Sequence, residues 1–211
     1  MQTFPVMLNL IGRQAVVVGA GAVARRKVRA LRQAGAIVRL ISPDEVGDVG
    51  EGVEVLTEAY HPEHLAGAVL VFACTDDRAA NSRIAADARR SGALVCAVDQ
   101  PGDCDFFSPA VARDGEVILA VGTGGAAPSL ARRLAEKLQT ALPERIGAFA
   151  ACLHSLRDEL QAASLPADRR RAVLDDLASE ETYNAFLAEG LPAVRRRLEA
   201  LSAPQGDLLC D

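Results

Sequence analysis

Gln14-Ala15-Val16-Val17-Val18-Gly19-Ala20-Gly21-Ala22-Val23-Ala24 is the stretch on which the fold turns. It opens with a short, β-branched apolar run stopped by glycine, which suits a parallel strand buried on both faces. Beyond the glycines, Ala24, Val28 and Leu31 recur at helical spacing. Arg25, Arg26 and Arg29 take the opposite side, and Gly35 stands where a helix would close. Ala36 to Ile41 is a second apolar run, ended by Ser42-Pro43-Asp44. A strand, a helix and a strand in about 30 residues make a βαβ unit.

The alternation continues outward. Val53 to Thr57 predicts a short strand, Pro62 to Leu65 a brief helix, Ala68 to Cys74 a strongly apolar strand, Arg78 to Arg90 a helix, and Ala93 to Val98 another strand. Strands and helices alternating at these lengths predict an α/β fold: a Rossmann-like, doubly wound parallel sheet with right-handed crossovers. After Asp99 the rhythm changes. Phe107 to Ala112 and Glu116 to Val121 read as strands around a turn at Arg113-Asp114-Gly115, giving a small α+β region. Pro128 then opens a helix striped by Leu130, Leu134 and Leu138, and Ile146, Phe149, Leu153, Leu156 and Leu160 stripe the next. The chain reads as helical to Ser202, punctuated near Pro166 and Gly190-Leu191-Pro192. Boundaries are expected near residues 112 and 143, dividing the chain into 1–112, 113–142 and 143–211.

Bulk properties narrow the class. Half of the 211 residues are hydrophobic and about a quarter are charged, the balance of a packed protein. A formal charge of −5 argues against nucleic acid as a partner. No apolar run approaches the roughly 20 residues that cross a bilayer, and the first five residues lack a secretory start, so a cytoplasmic protein without a membrane partner is expected. Cys74, Cys96, Cys104, Cys152 and Cys210 are odd in number and form no C-x-x-C pair, the pattern of reduced thiols. His61 with His64, and Cys152 with His154, fall short of a zinc ligand set, so no metal site is expected. The runs Arg169-Arg170-Arg171 and Arg195-Arg196-Arg197 read as surface charge.

Gly19-Ala20-Gly21-Ala22-Val23-Ala24 is the G-x-G-x-x-A form of the dinucleotide fingerprint, set between a strand and a helix. Gly19 permits the tight turn, Gly21 admits the pyrophosphate, and Ala24 lets helix and strand pack, while amides from Gly21 through Ala22, Val23 and Ala24 face the anion. The carboxylate that usually ends the second strand is missing: Ser42 and Pro43 stand there, and the nearest acids are Asp44 and Glu45. No arginine follows that strand to take a 2′-phosphate, so NAD is preferred to NADP, with Arg25 and Arg39 leaving the second open.

Phe4-Pro5 through Leu10, Val16 to Gly21, Val23-Ala24 and Arg26-Lys27 resemble the opening of the siroheme synthase N-terminal-type family. So do Ala73-Cys74-Thr75-Asp76-Asp77 with Asn81, Val98-Asp99 with Phe106-Phe107-Ser108-Pro109-Ala110, and Gly122 to Pro128 with Leu130-Ala131-Arg132. The match runs along roughly residues 1 to 145. It implies oxidation of precorrin-2 to sirohydrochlorin with NAD, followed in some members by insertion of Fe²⁺. It also implies a homodimer formed through the region after the nucleotide domain, which makes 113–142 a dimerisation and substrate region. Some members are fused to a methyltransferase; this chain ends too soon for one, so methylation is expected from another protein.

Asp99 is the candidate base. It stands at a strand tip, where open α/β sheets place ligands, and the resemblance puts the family's key carboxylate there; the alternative is a turn cap before Pro101-Gly102. Thr75, Asp76 and Asn81, with Asp77, either contact the cofactor or cap the following helix. Thr123 and Gly124 precede a helix and could hold a substrate carboxylate. The resemblance implies a substrate bearing eight carboxylates, for which Arg25, Lys27, Arg113 and Arg132 are the candidate cations, with Arg26, Arg133 and Lys137 nearby. A nucleotide sensor without chemistry is the competing class; it would need neither Asp99 nor the Phe106 to Leu130 region.

Overall fold

The computed structural model describes residues 3–163 and 165–202; Cys210 lies outside them. Two compact units form, residues 1–108 with 124–126, and 109–123 with 127 onward. The segment 113–142 falls within the second, apart from residues 124–126.

The first unit is a five-stranded parallel sheet, β1 (Gln14–Val18), β2 (Ile37–Ile41), β3 (Val53–Leu56), β4 (Ala68–Ala73) and β5 (Leu94–Ala97). Their spatial order is β3-β2-β1-β4-β5. The chain leaves β1 in one direction through α1 (Ala22–Gln33) and, after β3, returns to its other side as β4, so the order reverses between β1 and β4. This is the Rossmann-like sheet that the alternation predicts, and its reversal point is where such sheets bind ligands. Successive strand residues face opposite sides. Val16, Val18, Val71, Ala73 and Val95 pack on one core with Ile84, Ala85 and Ala88 of α2 (Arg78–Arg90). Ala15, Val17, Leu40, Leu70 and Phe72 pack on the other with Ala24, Val28 and Leu31 of α1. Two buried faces explain why these strands read as unbroken apolar runs.

The short helix at Pro62–Leu65 is a 3-10 turn, in which His64 Nδ1 accepts from the His61 backbone N–H at 3.1 Å and Nε2 lies 3.1 Å from Glu58.

In the second unit, β6 (Ala110–Asp114) and β7 (Val117–Val121) form an antiparallel hairpin. Its first strand begins three residues later than Phe107, immediately after Pro109, whose missing N–H cannot join a ladder. The turn is also displaced. Arg113 and Asp114 pair with Ile118 and Val117, leaving Gly115-Glu116 as a two-residue loop with Gly115 at φ 54°. Asp114 ties the hairpin to the helix that begins at Ile146, its Oδ2 accepting the Gly147 N–H at 2.8 Å.

Against this hairpin lies α3 (Pro128–Ala141), which buries Ala131 and Ala135 near Ala112. Small side chains permit close approach, so the leucine stripe faces away, with Leu130, Leu134 and Leu138 exposed by 51, 40 and 37%. The remaining helices, α4 (Ile146–Ala162), α5 (Ala167–Leu177), α6 (Glu180–Glu189) and α7 (Leu191–Ser202), share a core of Phe149, Leu156, Leu177, Phe186 and Val194. The arginine run on α7 is paired charge. Arg195 meets Glu159 of α4 at 2.7 Å, Arg197 meets Asp176 of α5 at 2.8 Å, and Arg196 meets Glu189.

Gly19→Ala tests the junction of β1 and β4. Gly19 has φ 116°, and an added Cβ would strike the Cys74 carbonyl oxygen and stand 2.8 Å from its carbon. A loss of about 2–5 kcal/mol in urea unfolding is expected from strain plus overpacking.

Candidate functional site

The strand tips define the site. Gly19 N–H donates to Ile41 O at 2.8 Å, Cys74 N–H to Val18 O at 2.8 Å, and Val98 N–H to Ala73 O at 2.9 Å, so the chain leaves four neighbouring strands at one edge in fixed register. Gly19 is glycine because the Cys74 backbone crosses against it. Gly21 differs: a Cβ there would meet nothing within 4 Å. The protein itself does not require glycine at 21, and the open room is what a dinucleotide diphosphate needs. Gly21 begins α1 with no side-chain cap, and no acid stands in the first turn, which leaves the Ala22, Val23 and Ala24 amides for an anion. Ala24 is fully buried against the sheet.

Beside this turn a cleft of about 620 Å³ opens, walled by Gly19, Pro43, Thr75, Tyr60, Arg83 and Ile84. Ser42 lies buried under its rim, where its hydroxyl accepts the Asp44 N–H at 3.2 Å. On the far wall, Thr75 and Asn81 are locked together. Asn81 Oδ1 accepts from the Thr75 N–H at 3.1 Å and hydroxyl at 2.8 Å, while its Nδ2 donates to Thr75 O at 2.9 Å. Only 2% of Asn81 is exposed, so its amide braces the β4 tip from within. Asp76 is exposed, and Asp77 caps α2 by accepting from Ala79 and Ala80 at 2.8 and 3.1 Å. Tyr60 donates to Asp87 at 3.0 Å, and burial together with that bond pushes its hydroxyl pKa well up.

Asp99 occupies the tip of β5, exposed, in a turn closed by Gln100 N–H to Ala97 O at 3.3 Å. Its φ is 58°, a left-handed conformation uncommon outside glycine. The cleft wall does not include Asp99.

Lys27 stands on α1 with its Nζ 5.0 Å from the centre of the Phe72 ring. Among the described residues it has no carboxylate partner. Burial lowers its pKa, opposed by the neighbouring Cys96 thiol. Burial likewise pushes the thiols of Cys74 and Cys96 up, to about 11 and about 12, so these cysteines behave as small apolar groups. Arg25 is exposed and reaches the loop after β2, its Nη1 lying 3.6 Å from where a Cβ on Gly47 would stand.

In the second unit, Thr123 Oγ1 accepts the Ala127 N–H at 3.1 Å across the Gly124 turn, at the start of α3. Arg113 is exposed, its backbone held by Gln139 at 2.8 and 3.1 Å, and Arg132 makes a loose exposed pair with Glu136 at 3.9 Å.

Tyr60, Arg83 and Ile84 escape sequence inspection as cleft residues. Tyr60 lies far in the chain from the α2 residues it faces, and nothing local marks it.

Residues 6–110 match a family model described as "Putative NAD(P)-binding", so a nicotinamide dinucleotide is the cofactor that this turn and cleft fit. The chain is 39% identical over 181 residues to the siroheme synthase of Nitrosospira multiformis, covering 81% of this chain and 38% of that protein. To that of Pseudomonas fluorescens strain Pf0-1 it is 35% identical over 205 residues, covering 95% and 44%. To that of Methylobacillus flagellatus it is 32% identical over 213 residues, covering 99% and 46%. The chain thus spans less than half the length of these relatives. Among solved structures, "SirC, precorrin-2 dehydrogenase" superposes with a TM-score of 0.76 at 22% identity, over 94% of this chain and 100% of that one, which is a likeness of fold.

Lys27→Met tests the half-buried ammonium. Its folded pKa lies below the unfolded value, so between the two the unfolded chain holds more protons and stability rises with pH. The variant is expected to be more stable than the parent at pH 7 in urea unfolding, with the gap closing as pH climbs through the alkaline range.

Proposed function

Because the chain belongs to the siroheme synthase N-terminal-type family, we propose that it oxidises precorrin-2 to sirohydrochlorin with NAD. The carrying observation is that a carboxylate, Asp99, stands in a strained turn at the same sheet edge as the phosphate-binding turn after β1. Bound NAD supplies the hydride acceptor.

The chain's own residues bind, orient and take up a proton. Gly19 and Gly21 admit the diphosphate to the amides of Ala22, Val23 and Ala24. Ser42 and Pro43 border the adenosine end, and Thr75 and Asp76, with Asn81 behind them, border the β4 tip. Asp99 accepts the proton that leaves the macrocycle alongside the hydride, a role worth about 10²–10⁴-fold in rate. Lys27 is the strongest candidate for holding a substrate carboxylate in this unit, since a carboxylate would supply its missing counter-charge. Arg25 is a second cation there, and the Gly124 amide a further donor to a carboxylate; Thr123, with Arg113 and Arg132, forms a separate carboxylate-binding set in the second unit.

The chain acts in the cytoplasm, where NAD is available and its thiols stay reduced. It does so as a homodimer, because Leu130, Leu134 and Leu138 present an apolar face on α3 that a second copy would cover.

Purified protein with enzymatically made precorrin-2 and NAD should develop sirohydrochlorin absorbance. Asp99→Asn should lower kcat by about 10²–10⁴-fold while calorimetric NAD affinity stays unchanged. Turnover no faster than the enzyme-free rate, with NAD still bound, would instead mark a sensor. Ferrous ion added to sirohydrochlorin in the same preparations tests iron insertion: incorporation above the spontaneous rate, lost in Asp99→Ala, assigns it to this chain. Leu134→Glu should lower the sedimentation coefficient from a dimer's to a monomer's with helicity unchanged; an already monomeric parent refutes the dimer.

A further inference from the structure

The turn carrying Asp99 is held from behind by side chains that no role in binding or proton transfer accounts for. Gln100 follows Asp99 and turns inward, with 6% of its surface exposed. Its Nε2 lies 2.9 Å from Ser82 Oγ, 3.0 Å from Asp103 Oδ2 and 3.2 Å from the Arg78 carbonyl oxygen. Ser82 Oγ donates in turn to Asp103 Oδ2 at 2.7 Å, so the loop after β5 and the first turns of α2 share one polar knot. Gln100 Oε1 is buried and, among the described residues, has no donor. A buried acceptor left unpaired costs stability, and so does a left-handed aspartate beside it. Two unfavourable features on adjacent residues mark a segment kept for its geometry. Consecutive residues of α2 grip both strand tips, Asn81 holding Thr75 and Ser82 holding Gln100.

We infer that Gln100 is a positioning residue, whose inward amide anchors the β5 turn to α2 and so holds the Asp99 carboxylate where it takes up the proton. The inference rests on the proposed role of Asp99. Without the anchor, the backbone at Asp99 is free to relax toward negative φ, which carries the carboxylate away from its working position.

A double-mutant cycle on the full chain tests this, reading precorrin-2 oxidation at saturating NAD. Gln100→Ala should lower kcat by about 100-fold, the scale of a small misplacement of a reacting group, with the KM for NAD unchanged. Since Gln100 acts through Asp99, the variant carrying both Asp99→Asn and Gln100→Ala should be no slower than Asp99→Asn alone. Gln100→Glu adds a second readout. Its carboxylate would face Asp103 and the Arg78 carbonyl and could restore a donor only when protonated, so its kcat relative to the parent should rise as pH falls. Should Gln100→Ala fail to fold, Ser82→Ala at a half-buried position carries the same cycle. Parental kcat in Gln100→Ala, or independent multiplying losses in the double variant, overturns the inference and leaves Asp99 standing. Parental kcat in Asp99→Asn overturns the assignment of Asp99 and the inference with it.

Discussion

The crossing of the Cys74 backbone against Gly19 is the contact on which the nucleotide unit depends. Parallel strands are held by main-chain bonds that continue beyond their last residues, and here Val18, Ile41 and Ala73 each accept one from a neighbour's tip. A methyl group at position 19 would push the ends of β1 and β4 apart. The glycine turn after β1, the Thr75 wall and the β5 turn all issue from those tips, so their mutual placement is a consequence of sheet register.

This sheet edge is then stiffened by side chains that bond to the protein's own backbone. Asn81 spends its amide on Thr75, Asp77 spends its carboxylate on α2, and Ser42 spends its hydroxyl on Asp44. Each restrains a backbone segment at the cleft. Exposed Asp105 repeats the pattern at β5, where it accepts from the Val95 N–H at 3.1 Å and from Arg89 at 2.8 Å. Sites on rigid elements need this kind of support, because a reacting group misplaced by an ångström loses most of its effect.

The second unit makes the opposite choice of surface. Its α3 meets the hairpin through alanines, leaving the larger apolar side chains outside. Burying Leu130, Leu134 and Leu138 against the hairpin would have gained hydrophobic area at the expense of the close approach that Ala112, Ala131 and Ala135 allow. In the helical core the arginines of α7 tie α4, α5 and α6 by surface ion pairs, each of small energetic weight in water.

The amino-acid order alone determined the Rossmann-like sheet, the α2 span and the glycine turn between β1 and α1, because each is encoded in local periodicity and in glycine spacing. It determined the family likewise, through motifs whose order needs no coordinates. Tertiary structure alone decided which face of α3 is buried, where the hairpin turns, and that the wall opposite Pro43 includes Arg83 and Ile84. The same holds for the left-handed turn at Asp99 and its anchoring by Gln100 to Ser82, 18 positions away. These features arise from contacts between segments distant in the chain, whose free energies are set by packing and hydrogen-bond geometry that no local pattern records.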